Sequence, residues 1–158
     1  MSNSIKILKE GKRFKYRASG VVIQDNKLLV TEMNYSNNYL LPGGYIELFE
    51  RSDTAILREM KEEVGIEFNI VKYYGMIENF FHNNKDEDVH EIGIYYLLEP
   101  KDKKIIDFER DEEDKGRVVH HNFKMIDINE LRNTSFKPRL LIEKLENNDY
   151  SIFHEIHE

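Results

Sequence analysis

Residues 44–66 read GYIELFERSDTAILREMKEEVGI, and the change of period inside this stretch decides the fold. From Ser52 onward Ile56, Leu57, Met60 and Val64 recur at helical spacing, with Ser52 as the expected N-cap and Gly65 as the stop. At about 100° per residue the helix gathers Glu59, Glu62 and Glu63 into one stripe, expected roughly opposite the apolar face of Ile56, Met60 and Val64. Like charges at i, i+3 and i+4 repel, so this stripe needs cations to compensate it. Hard oxygen donors grouped in this way suit Mg²⁺ or Mn²⁺, which keep several waters and bridge to phosphates. The alternative for any Glu-rich helix is a solvated acidic face.

On either side the chain reads as strands. Residues 14–23 and 27–31 are β-rich runs joined by Gln24-Asp25-Asn26, which predicts a hairpin. The short run 39–41 stops at Pro42-Gly43-Gly44, a loop with high backbone freedom. Residues 66–81 and 89–98 return to Val, Ile, Tyr and Phe, residues 118–126 predict one more strand, and 140–145 a closing helix. Strands, helix, strands, helix make a mixed α/β class with helices covering a sheet. The 158 residues, 40% of them hydrophobic, suit one domain, 1–158, with a core over about 14–147.

Composition narrows the chemistry. With no cysteine, disulfides, thiolate metal sites and cysteine nucleophiles are excluded, so any metal is held by oxygen or imidazole. A formal net charge of −7 opposes bulk attraction to nucleic acid. No apolar run reaches the roughly 18 residues of a membrane helix, and residues 1–17 lack the apolar stretch of a secretory signal, so a cytoplasmic location is expected. The first 17 residues are basic, whereas residues 107–114, DFERDEED, hold six acids and read as an acidic loop.

The spacing in residues 44–66 is Gly44, five residues, Glu50, seven residues, Arg58-Glu59-Met60, one residue, Glu62-Glu63, one residue, Gly65-Ile66. It resembles the signature of the Nudix hydrolases at all nine specified positions, and the lead-in Leu41-Pro42-Gly43-Gly44 with Glu47 fits as well. Phe49 stands at a free position where many members carry glycine. The resemblance implies an α/β/α sandwich with a mixed sheet and metal-dependent hydrolysis of a diphosphate bond in a nucleoside-diphosphate-linked compound. It also implies Mg²⁺ (or Mn²⁺) on Glu59, Glu62 and Glu63, a further ligand in the Gly43 carbonyl, Glu50 contributing through a water, and Arg58 orienting the carboxylates.

Further expectations concern residues outside this stretch, and the first of them follows from the same resemblance. Glu109, Glu112 and Glu113 are candidates for an additional loop carboxylate, against the alternative of a solvated acidic loop. Arg17, Tyr39, Phe81 and Glu91 are candidate substrate contacts, and Tyr35 and Phe80 could stack on a base; aromatics in strands also serve as core. His120 and His121 point to opposite strand faces, one toward the core and one toward solvent. His154 and His157 lie at the expected fraying terminus with the wrong spacing for a zinc-protease helix. The expected substrate is a small nucleotide, first a nucleoside triphosphate and second ADP-ribose or a nucleotide sugar. A catalytically silent nucleotide sensor is the competing class. There is no recognisable DNA-binding domain, and a homodimer is common in the family.

Overall fold

A computed structural model describes residues 3–33, 38–102, 104–105, 107–114 and 116–158. Its elements in chain order are strands β1 (Lys6–Lys9), β2 (Lys12–Gln24), β3 (Lys27–Met33), β4 (Tyr39–Leu40) and β5 (Gly43–Tyr45), then helix α1 (Ser52–Glu63). Strands β6 (Phe68–His82), β7 (Asp88–Pro100), β8 (Phe108–Asp114) and β9 (Arg117–Asp127) follow, then a 3-10 turn (Ile128–Asn133), helix α2 (Leu141–Glu146) and strand β10 (Phe153–His157). The strand order is β10-β6-β7-β2-β3-β9-β8, with β1 and β5 on β2 and β4 on β3. The β2/β7 and β6/β10 pairs are parallel and the others antiparallel, so the sheet is mixed.

The long strand β2 organises the molecule. It pairs with β7 from Lys12 to Val22 but with β3 only at Ile23 and Gln24, so the sheet forks where β2 ends. The hairpin at this fork has Asp25 and Asn26 at φ 50° and 61°, the left-handed pair that a two-residue hairpin turn requires. Alternation along β2 feeds two cores. Ala18 and Val22 pack with Ala55, Ile56 and Met60 of α1, while Val21 packs with Leu141, Ile142 and Leu145 of α2. The two helices therefore cover opposite faces, as expected of an α/β/α sandwich. Among the described residues no helix is long and apolar enough to cross a membrane.

Three local expectations change. Ser52 begins α1 without capping it: the cap position is Arg51, with no side-chain cap bond, and Ser52 Oγ instead lies 2.7 Å from the Tyr96 hydroxyl. The acidic stretch 107–114 is largely strand, because β9 supplies partners that no local reading contains. Phe108 stacks on Phe123 at 4.8 Å, Asp107 accepts from the Met125 amide at 2.8 Å, and His120 lies 2.6 Å from Asp111. The C-terminal stretch does not fray: β10 pairs with β6, and His154 lies 2.7 Å from Glu78. Strands β1 and β10 both fall outside the expected core of 14–147.

Phe49 adopts φ 61° and is fully exposed, which explains why glycine suits this position in the resembling family: the left-handed region costs a side chain strain. Gly65, at φ 81°, ends α1 in the same region, and its amide bonds the Met60 carbonyl at 3.1 Å.

Phe153 is buried against Tyr74, with ring centroids 5.1 Å apart in an edge-to-face arrangement. Phe153→Ala should therefore lower the unfolding free energy by about 3 kcal/mol, measured by urea denaturation. A loss below about 0.5 kcal/mol would mean that the C-terminal strand is not docked.

Candidate active site

Arg58 is the hub of the site. Its Nε and Nη2 form a fork on Glu50 at 2.8 and 2.9 Å, and Nη2 also donates to the Tyr45 carbonyl at 3.1 Å. Its Nη1 donates to Glu59 at 2.9 Å and to Glu62 at 3.2 Å, the latter an i,i+4 pair on the helix. These five bonds match the donor capacity of a guanidinium, and lysine could not reproduce them. The Arg58 charge and the Glu47 amide hold the Glu50 carboxyl below its ordinary range. Both Glu50 oxygens are engaged here, so Glu50 acts as the brace of the arginine.

Glu59 and Glu63 sit where charge is costly. The expected placement of the stripe opposite the apolar face is corrected at Glu63, which is buried with Ala55, Ile56 and Met60 at 6% exposure. At 100° per residue Glu63 falls only about 20° from Ile56, so it belongs to the inward face. Burial pushes its carboxyl up to about 8, against the relief provided by the Gly43 amide, which donates to Oε2 at 3.0 Å. Burial also raises Glu59, despite Arg58 beside it. A Cβ at Gly44 would lie 2.3 Å from the Glu59 carboxyl, so glycine is what admits this carboxylate.

The opposite wall comes from β8 and β9. Of the three candidate loop carboxylates, Glu112 alone is brought to the box glutamates: its Oε2 lies 2.8 Å from Nε2 of His121, and its charge helps raise both Glu59 and Glu63. Glu109 points to the other face, 3.7 Å from His120, and Glu113 is exposed. His121 is 3% exposed, with Nδ1 at 3.1 Å from Thr31 Oγ1 and 3.5 Å from Glu63 Oε1. Alternation correctly assigned one member of the His120-His121 pair to the interior, but nothing in the local sequence marked His121 as a partner of the carboxylates.

The remaining candidates divide. Arg17 lies with its guanidinium over the Tyr45 ring at 5.5 Å, its buried Nε has no hydrogen-bond partner, and its charge lowers the Glu63 carboxyl, which places it at the site. Tyr39 belongs to a neighbouring cluster in which Lys124 donates to Glu32 at 3.1 Å and to the Tyr39 hydroxyl at 3.3 Å. Phe81 lines a cavity of about 500 Å³ with Phe14, Phe80 and His90, and no box glutamate lines it. Phe80 stacks on His90 at 4.4 Å rather than facing the box. Glu91 is paired in register with Lys15 on β2 and is not joined to the box residues. Tyr35 lies outside the described residues.

Among the described residues, no three acid or imidazole groups close into a preformed metal cage. The donor set fits a divalent cation nonetheless. Mg²⁺ takes one or two carboxylates together with water and phosphate oxygens, and does not need an all-protein cage. Burial, with Glu112 beside both, disfavours the charged forms of Glu59 and Glu63, and a divalent cation would favour them.

Comparison with known proteins agrees with this geometry. The NUDIX domain profile matches residues 14–145, and the chain belongs to the Nudix family. An ADP-ribose pyrophosphatase of Methanocaldococcus jannaschii is 30% identical over 107 residues, 61% of this chain and 62% of that protein. A probable DHNTP pyrophosphohydrolase of Lactococcus lactis is 34% identical over 86 residues, 52% of each chain. These matches thus span less than two thirds of either relative. The solved structure of a NUDIX hydrolase from Nitrosomonas europaea superposes with a TM-score of 0.63 at 17% identity, covering 87% of this chain and 91% of that one, a likeness of fold.

The Glu63 carboxyl, raised from 4.5 to about 8, makes the folded protein bind more protons than the unfolded chain between those values. Stability of the metal-free protein should therefore fall as pH rises from about 5 to 8. Glu63→Gln should flatten this slope and raise the melting temperature at pH 8 in EDTA. Identical slopes for the two proteins would contradict the buried charge.

Proposed function

We propose that this chain is a hydrolase that uses Mg²⁺ or Mn²⁺ to cleave a diphosphate bond in a small nucleotide-type substrate. The observation that carries the reading is the pair of desolvated carboxylates Glu59, braced by Arg58, and Glu63, held by the Gly43 amide and linked through His121 to Glu112. Glu59, Glu62 and Glu63, with the Gly43 carbonyl and Glu112, would hold the metal. Bound divalent ions neutralise the charge of the diphosphate and lower the pKa of water. Arg58 keeps Glu59 and Glu62 pointing outward from the helix, and the Gly43 amide fixes Glu63. The guanidinium of Arg17, with its unpartnered Nε, is suited to hold a phosphate oxygen. Glu112 and Glu63 are the carboxylates available to accept a proton from the attacking water. The grouped carboxylates suit metal ions that activate water, and in this reading water attacks phosphorus directly, without a nucleophilic side chain.

A nucleoside triphosphate, ordinary or oxidised, is the first substrate proposed. ADP-ribose or a nucleotide sugar is the second, favoured by the name of the archaeal relative. A panel of these compounds, assayed with Mg²⁺ in ¹⁸O water, should yield one labelled product phosphate. Glu59→Gln and Glu63→Gln should each lower turnover by about 10²–10³-fold in folded protein, the usual cost of removing one transition-state stabiliser. Undiminished hydrolysis in excess EDTA would overturn the metal role. Tight nucleotide binding without turnover of any compound would favour the sensor over the enzyme.

A further inference from the structure

We infer that His121 is a positioning residue that ties Glu112 of β8 to Glu63 of α1, so that the inner face of the acidic strand becomes part of the divalent-cation site. The inference rests on the metal-dependent reading proposed above and specifies which residue completes its site.

Alternation in β8 selects the carboxylate. Phe108 packs on Phe123 in the core under α1, so Phe108, Arg110 and Glu112 share the inner face. Glu109 and Asp111 share the outer face, where His120 reaches both. Arg110 gives the strand an independent tether: its Nη2 meets the Glu62 carbonyl at 3.4 Å, and its guanidinium fills the space that a Cβ at Gly65 would occupy. A cation at this end of α1 also complements the helix dipole. The strand is thus anchored to the last turn of the helix beside its glutamates.

His121 provides the link within that frame. Its ring stacks on Phe123, with centroids 5.5 Å apart and 15° between planes, which fixes the ring orientation. One ring nitrogen then meets Glu112 at 2.8 Å while the other meets Thr31 at 3.1 Å and faces Glu63 at 3.5 Å. Two carboxylates from different elements would otherwise repel across this gap, and the imidazole holds them at a defined separation. Residues behind metal ligands act in this way, and removing them lowers metal affinity by about 10–100-fold.

The test is Mn²⁺ affinity, measured by electron paramagnetic resonance and calorimetry without substrate. His121→Ala should weaken binding about 10–100-fold, and Glu112→Gln should do the same. His121→Gln, whose amide can reach Glu112 from the Nε2 position, should recover most of the loss. The double variant H121A/E112Q should bind no more weakly than the weaker single one, because the two residues act as one unit. Wild-type affinity in folded His121→Ala, or losses that add in the double variant, would overturn the inference. If His121→Ala does not fold, His121→Gln with Glu112→Gln decides: loss in the second with retention in the first supports it, and retention in both overturns it. Glu59→Gln serves as the control. Unchanged Mn²⁺ affinity there would remove the metal site itself, a failure distinct from that of the His121 link.

Discussion

Everything at this site depends on the fork of Arg58 on Glu50. Three glutamates on one helical stripe would destabilise α1 in isolation. The arginine compensates two of them while being held by a fourth carboxylate and by the Tyr45 carbonyl, neither of which lies on the helix. The same side chain therefore shapes the turn before α1, docks β5 against the helix and points Glu59 and Glu62. Its position at 26% side-chain exposure, in a partly desolvated setting, makes these bonds stronger than those of a surface pair.

What Arg58 does not compensate is left for a cation. Glu63 lies on the buried face, its carboxylate satisfied on one oxygen by a backbone amide and faced on the other by His121. Burying a charge without a full partner costs stability, so a protein retains such a group where another ligand completes the balance. The forked sheet supplies the geometry. Strand β2 carries Arg17 and, through β5, Gly43 and Gly44, while β3 and β9 carry Thr31 and His121 from the other branch. The helix lies between these walls, with its last turn toward β8.

Sequence reading recovered what is local. The box occupies contiguous residues, so its period and its glycine stop follow from helix geometry, the orienting role of Arg58 came with the family resemblance, and the Asp25-Asn26 turn follows from residue preference. The errors have a common origin in non-local partners. Strand β8 looks like a loop until β9, about ten positions away, supplies its pairing partners. Strand β10 looks frayed until β6, more than seventy residues earlier in the chain, receives Phe153. Ser52 looks like a cap until Tyr96 takes its hydroxyl. The His120-His121 pair was legible as one inward and one outward residue, but not which was which, nor that His121 joins the site, because Glu63 and Glu112 come to it only after both sheet branches have formed. Glu63 was misplaced for a different reason: a stripe counted as a unit hides that its last member lies near Ile56 around the helix.

The most direct test of the metal-site account is a crystal structure of the protein soaked in Mn²⁺, with anomalous difference density collected near the manganese edge. The account predicts anomalous peaks within coordination distance of Glu59 and Glu63, with Arg58 still on Glu50. Ordered Mn²⁺ bound elsewhere with no density beside these glutamates, or an Arg58 displaced from Glu50 while the site remains intact, would contradict it.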